Sequence, residues 1–217
     1  MIKVIACKIY EYYILQLDQS WDNYEFIYLD IQQHNYPHQL ARAIQKEIDK
    51  SEDYEKIIIL YGLCGNALLE IAAGKTALYL VCVHDCLSVL LGSKERFEQL
   101  FYQRRSSSWS CYSLKLHNCN QYNDQSYRQW CQQYDQETAN YLQQSLMKEP
   151  AIYLTYNDQD DLPYLDKQEL IRIDLSFLER ILSLKDKDII VLKESQRLSI
   201  SSDFDEVMKI QEESSND

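Results

Sequence analysis

Glycine is scarce in this chain, with four residues among 217. A G-x-G-x-x-G fingerprint is absent, which excludes a conventional dinucleotide site. Gly74-Lys75-Thr76 ends like a phosphate-binding P-loop, but Leu69 stands where that motif needs its first glycine. The segment also precedes a strand pattern instead of opening a helix, so a conventional ATP site is excluded as well. No C-x-x-C occurs, which removes thioredoxin-like and zinc-ribbon readings. Without G-x-S-x-G there is no serine nucleophile elbow. Long apolar runs are missing too, and none approaches the roughly 18 residues that cross a bilayer. Met1 to Cys7 lacks the apolar stretch of a secretory signal and reads as a strand, so a cytoplasmic protein with no membrane partner is expected. Positive charge is short: 22 Lys and Arg against 34 Asp and Glu leave −12. Nucleic acid is not an expected partner, because phosphate binding needs a concentrated positive field. Gln103-Arg104-Arg105 is the one basic hint and reads as a solvated loop.

What is present is an apolar fraction of 46 % and seven cysteines. In a reducing compartment these are thiols, not a disulfide framework, so they serve packing, metal ligation or nucleophilic chemistry. The patterns alternate. Ile2 to Cys7 and Tyr24 to Leu29 read as strands. Pro37 opens a helix with Leu40, Ala41, Ile44 and Ile48 on one face. Lys56 to Tyr61 is a nearly continuous apolar strand of the kind buried in a parallel sheet. Gly62-Leu63-Cys64-Gly65-Asn66 follows, then an expected helix from Ala67 to Ala73, a strand from Ala77 to Val83, and a helix beginning at His84-Asp85-Cys86. Later come a strand at Ala151 to Leu154, a helix capped by Asp174 with Leu175, Leu178 and Leu182 inward, and a strand at Asp188 to Leu192.

The expected fold is therefore α/β: a doubly wound, Rossmann-like, mostly parallel sheet with helices on both faces. One domain is expected over 1–204, with a polar peripheral excursion over about 104–148, followed by a frayed acidic tail over 205–217.

Ligands of such sheets bind beyond the carboxyl ends of the strands. There the sequence places Cys7, His34, Cys64, His84 and Cys86, soft thiolate and imidazole donors suited to zinc or iron. Cys86 also falls at an expected helix start, where the dipole favours its thiolate. The bland alternative is strong, since free cysteine is a common buried residue, and Cys82 in mid-strand reads as packing. Gly62, Gly65 and Asn66 admit two readings: a nest of N–H groups for a small anion, or a tight strand-to-helix turn. Asp85 would orient a metal ligand from behind, and Ser93 and Arg96 would hold an anionic group. Cys111, Cys119 and Cys131 with His117 match no zinc module and read as incidental.

At Ile5-Ala6-Cys7, His34-Asn35 with Pro37, Tyr61-Gly62-Leu63-Cys64-Gly65-Asn66, His84-Asp85-Cys86, Leu90-Leu91-Gly92-Ser93-Lys94-Glu95-Arg96 and Asp174-Leu175-Ser176, the chain resembles the prokaryotic family known as domain of unknown function 1638. The chain departs from the family pattern where Ser107-Ser108-Trp109-Ser110 lacks a Pro-Gly, and where Ile173 replaces a glycine. The resemblance implies a shared site at these residues, and a protein partner in a methyl-transfer system. Three functions stay open. One is a zinc or iron protein acting on a small-molecule thiol or in methyl transfer. The others are a non-enzymatic accessory or sensor protein, and a metal-free module for a small anion.

Overall fold

The computed structural model describes residues 1–104, 108–117, 124–146, 152–157, 169–201 and 207–211. In chain order its elements are β1 (Ile2–Cys7), α1 (Glu11–Ile14), β2 (Tyr24–Leu29), α2 (Pro37–Asp49), β3 (Lys56–Leu60), β4 (Leu78–Val81), α3 (Cys86–Val89) and α4 (Lys94–Gln103). They continue as β5 (Trp109–Cys111), α5 (Tyr112–Leu116), α6 (Asp124–Gln133), α7 (Gln136–Leu146), β6 (Ile152–Thr155), β7 (Glu169–Arg172), α8 (Ser176–Leu182), β8 (Ile189–Leu192), β9 (Leu198–Ile200) and β10 (Met208–Ile210).

Two compact units result. Residues 1–98 and 174–217 form one and residues 99–173 the other. The first holds a five-stranded sheet in the order β2-β1-β3-β4-β8. Four strands are parallel, and β8 joins β4 antiparallel. The molecule is thus a mixed α/β protein with a mostly parallel central sheet. Val4, Ile5 and Ala6 of β1 and Ile57 to Leu60 of β3 are buried, the placement their unbroken apolar runs require. On α2, Leu40, Ala41, Ile44 and Ile48 are buried, and Pro37 begins the first turn.

Two expected helices shrink to single turns. Ala67–Glu70 is a 3-10 turn, and the chain extends again at Ile71. The cause lies on α2: the Gln45 amide accepts from Ala72 N at 2.8 Å and donates to Ala72 O at 3.2 Å. With both backbone groups of Ala72 satisfied from the side, a helix there gains nothing. The helix after His84-Asp85 is α3, one turn long.

The second unit has its own parallel sheet, β5-β6-β7, and the paired helices α6 and α7. Ile152, Tyr153 and Leu154 form the buried heart of that sheet. The strand expected there is part of this unit's core. Within the tail expected over 205–217, Val207 and Met208 are buried, and β10 pairs antiparallel with β9. Cys119, Arg105, Ser107, and the tail residues 205–206 and 212–217 lie outside the described residues.

Candidate functional site

Parallel register brings the carboxyl ends of β1, β3 and β4 side by side, with Ala6 opposite Leu60 and Ile59 opposite Leu80. From these three ends come Cys7, Cys64 and Cys86, at 4, 3 and 6 % exposure. The Cys64 and Cys86 sulfurs are 3.6 Å apart. Cys7 hydrogen-bonds Cys86 as well. The loops carrying them are stitched together: Leu63 N donates to Val83 O at 3.0 Å, and Gly62 N donates to the Cys86 sulfur at 3.4 Å.

Gly62 makes that closeness possible. A Cβ there would stand 2.7 Å from the N, Cα and C atoms of Asp85. After it the backbone turns left-handed for three residues, with φ of 45° at Cys64, 64° at Gly65 and 73° at Asn66. Cysteine rarely adopts this region, so the turn holds the thiol against a local cost. Gly65 packs on Pro37, whose Cγ would be 2.8 Å from an added Cβ. A tight turn accounts for these contacts. The N–H groups of Gly62, Leu63 and Ala67 are all donated within the protein.

Electrostatics single out Cys86. Hydrogen bonds from Cys64 and Cys7 lower its pKa well below the ordinary thiol value, against its burial, with Gly62 N–H adding to them. Cys64 moves the other way, raised by its hydrogen bond with Cys86 and then by burial. Of the two, Cys86 is the one whose surroundings favour the thiolate. Although Cys86 opens α3, a helix of one turn has little dipole to offer; its thiolate is favoured by the neighbouring donors.

Around the sulfurs stand two buried tyrosines that the sequence reading passed over. Tyr10 donates to Cys86 O at 2.8 Å. The Tyr61 hydroxyl is buried and has no hydrogen-bond partner among the described residues. Both phenols are pushed upward, by burial first and then by the charges of the three cysteines. A tyrosine ending an aliphatic buried strand was the available signal, since its hydroxyl must then find a partner inside.

Asp85 caps α3, accepting from Leu87 N at 2.6 Å. Burial, then the charge of Cys86, raises it to about 6, with Leu87 N–H and His34 acting against the rise. His34 and His84 are both exposed. Three of the five expected ligands come together, and the two histidines stay at the surface. Among the described residues, no group of three or more His, Cys, Asp or Glu is arranged as a ready metal cage.

Ser93 and Arg96 serve a different junction. Ser93 Oγ accepts from Arg96 N at 3.1 Å, and the Arg96 guanidinium donates to Leu91 O at 3.2 Å. Asp174 packs on Gly92, whose φ is 84°, and Arg180 donates to Gly92 O at 3.0 Å. Burial would raise Asp174, but hydrogen bonds from Ser176 and the charges of Arg96 and Arg180 hold it below its ordinary value. Cys82 is buried and donates to Met208 O at 3.5 Å, consistent with packing. Cys111 is buried in β5 and Cys131 is exposed on α6.

Fold and site together define a mixed α/β protein with a buried three-cysteine cluster at the carboxyl edge of its central sheet. A family model described as "Protein of unknown function (DUF1638)" matches residues 28–167, and the chain belongs to that family. The matched range takes in Cys64, His84 and Cys86 but begins after Cys7 and ends before Asp174. No curated protein matches, and no solved structure does. Among the described residues no helix is long and apolar enough to cross a membrane.

Proposed function

We propose that this is a cytoplasmic metal-binding protein that holds zinc or iron through the thiolates of Cys7, Cys64 and Cys86. The observation that carries the reading is the contact of three buried thiols from adjacent strand ends. Two thiolates on one tetrahedral zinc, at about 2.3 Å each, stand roughly 3.8 Å apart. The 3.6 Å between Cys64 and Cys86 is close to that. Soft sulfur donors suit zinc and iron better than magnesium or calcium. Binding requires loss of the thiol protons, and Cys86 is prepared for it by its donors. The S–H···S contacts would then give way to metal–sulfur bonds, with small side-chain rotations.

The strand order supports the place. Connections from β1 lead outward to β2, while β3 and β4 lie on the other side. In a doubly wound sheet this reversal is the switch point where ligands bind. A fourth position, not supplied by cysteine, would receive a small-molecule thiol or anion, whose polarisation is the chemistry a bound zinc supplies. Methyl transfer to or from that thiol, with a protein partner, is the most specific form of this reading. A second form, a sensor or accessory protein whose metal merely orders the loops, is favoured by the deep burial of all three sulfurs.

Elemental analysis of protein purified without oxygen tests the proposal. Wild type and Cys131→Ala should carry equal zinc or iron, and Cys64→Ala and Cys86→Ala much less. Equal metal in all four would remove the metal centre from consideration. Absorption of any bound iron separates the two metals.

A further inference from the structure

Tyr61 follows β3 directly, between the buried strand and the Gly62 turn, and its side chain is 2 % exposed. Its hydroxyl is out of water and without a hydrogen-bond partner among the described residues. Folded proteins rarely tolerate this, because the group has given up its water and received nothing back. Tyr10 supplies the contrast within the same cluster, since its hydroxyl is satisfied by Cys86 O at 2.8 Å. The Tyr61 phenol lies within electrostatic reach of Cys7, Cys86, Cys64 and Asp30. An unpaired donor is thus buried within electrostatic reach of the three sulfurs. A phenol carries its proton at neutral pH, so the group can offer a hydrogen bond.

We propose that the Tyr61 hydroxyl is the positioning donor of the three-cysteine centre, hydrogen-bonded to a small anion held beside the thiolates. The assignment rests on the metal reading and adds a ligand class to it. The donor selects a compact ligand with a negatively charged acceptor atom, and it fixes the orientation of that atom. Space is limited around buried sulfurs, so bulky anions are excluded.

The test uses the full chain loaded with cobalt(II), whose absorption reports its ligands, and azide as the probe anion. Tyr61→Phe should leave cobalt content and the thiolate charge-transfer bands unchanged and weaken azide binding by about tenfold, the loss of one hydrogen bond to a charged group. In the chelated protein the same substitution should leave Tm unchanged or raise it, because it deletes an unsatisfied hydroxyl. A drop of several degrees would mean that the hydroxyl has a protein partner and would overturn the assignment. So would azide binding of equal strength in both proteins. Should Tyr61→Phe fold poorly, 3-fluorotyrosine at position 61 gives a stronger donor of nearly the same shape. Azide should then bind more tightly, and unchanged affinity counts against the proposal. If wild type takes up no cobalt, the metal reading fails and this one with it. Uptake without a Tyr61 effect sinks this one alone.

Discussion

Two of the sheets are built on parallel strands, and a cysteine ends the first strand of each. Cys7 closes β1 and Cys111 closes β5, and both are buried. In the first unit the neighbouring strand ends bring Cys64 and Cys86 to the same place. In the second, β6 and β7 end in Thr155 and Arg172. A strand-end thiol is therefore not a site in itself. What distinguishes the first sheet is a glycine that lets two loops close on each other, and a left-handed turn that aims a second sulfur.

The sharpest way to break the contrast is to remove that glycine. In Gly62→Ala the new methyl meets the backbone of Asp85, which cannot give way as a flexible side chain could. The expected loss is on the order of 3 kcal/mol in urea unfolding. Gly74→Ala is the control, because nothing lies within 4 Å of its added Cβ; its change should stay within about 0.5 kcal/mol. Similar costs at both positions would mean that the two loops do not depend on close approach.

The next largest effect separates the cysteines themselves. With zinc at about 100 times its dissociation constant, wild type should gain about 2.7 kcal/mol over the chelated protein. Cys111→Ala should keep that increment, although it pays a packing cost of its own. Cys86→Ala should lose the increment. An increment retained in Cys86→Ala would place the zinc elsewhere.

Much of this site could be read from the residues. Apolar runs marked the four parallel strands, and the strand-end rule then made Cys7, Cys64 and Cys86 neighbours. The direction of β8 was not legible, because a short apolar run looks alike in either orientation. Ala67 to Ala73 read as a helix because its competitor, the Gln45 amide, sits some 22 residues or more upstream on another element. The H-x-C pair could not reveal that burial takes Cys86 inward and leaves His84 outside. The second sheet was hidden because β7 has a single buried position, Ile171, among exposed neighbours.

The smallest expected effect sets two carboxylates against each other, one in each unit. Asp85 caps α3 and Asp135 caps α7, each accepting from a backbone N–H, of Leu87 at 2.6 Å and Thr138 at 2.8 Å. Their surroundings push them in opposite directions. Asp85 is raised to about 6, chiefly by burial and then by Cys86. Asp135, exposed, is lowered by the Thr138 N–H and hydroxyl. Between about pH 4 and 6 the folded protein keeps a proton on Asp85 that the unfolded chain has lost, so stability falls as pH rises through this window. A shift of about two units sets an upper bound near 3 kcal/mol. Asp85 is mostly buried but keeps some exposure, so water screens part of the field and about 1–2 kcal/mol is expected. Asp135 has the opposite sign: its contribution is present at neutral pH and fades as pH falls through its lowered folded value. In chelated protein, Asp85→Asn should flatten the decline between pH 4 and 6 seen in wild type, whereas Asp135→Asn should cost stability at pH 7 and little at pH 3. Parallel pH profiles for wild type and Asp85→Asn would show that the cap beside Cys86 is as well hydrated as the one on α7, and the contrast between the two strand-end cysteines would then lose its electrostatic part.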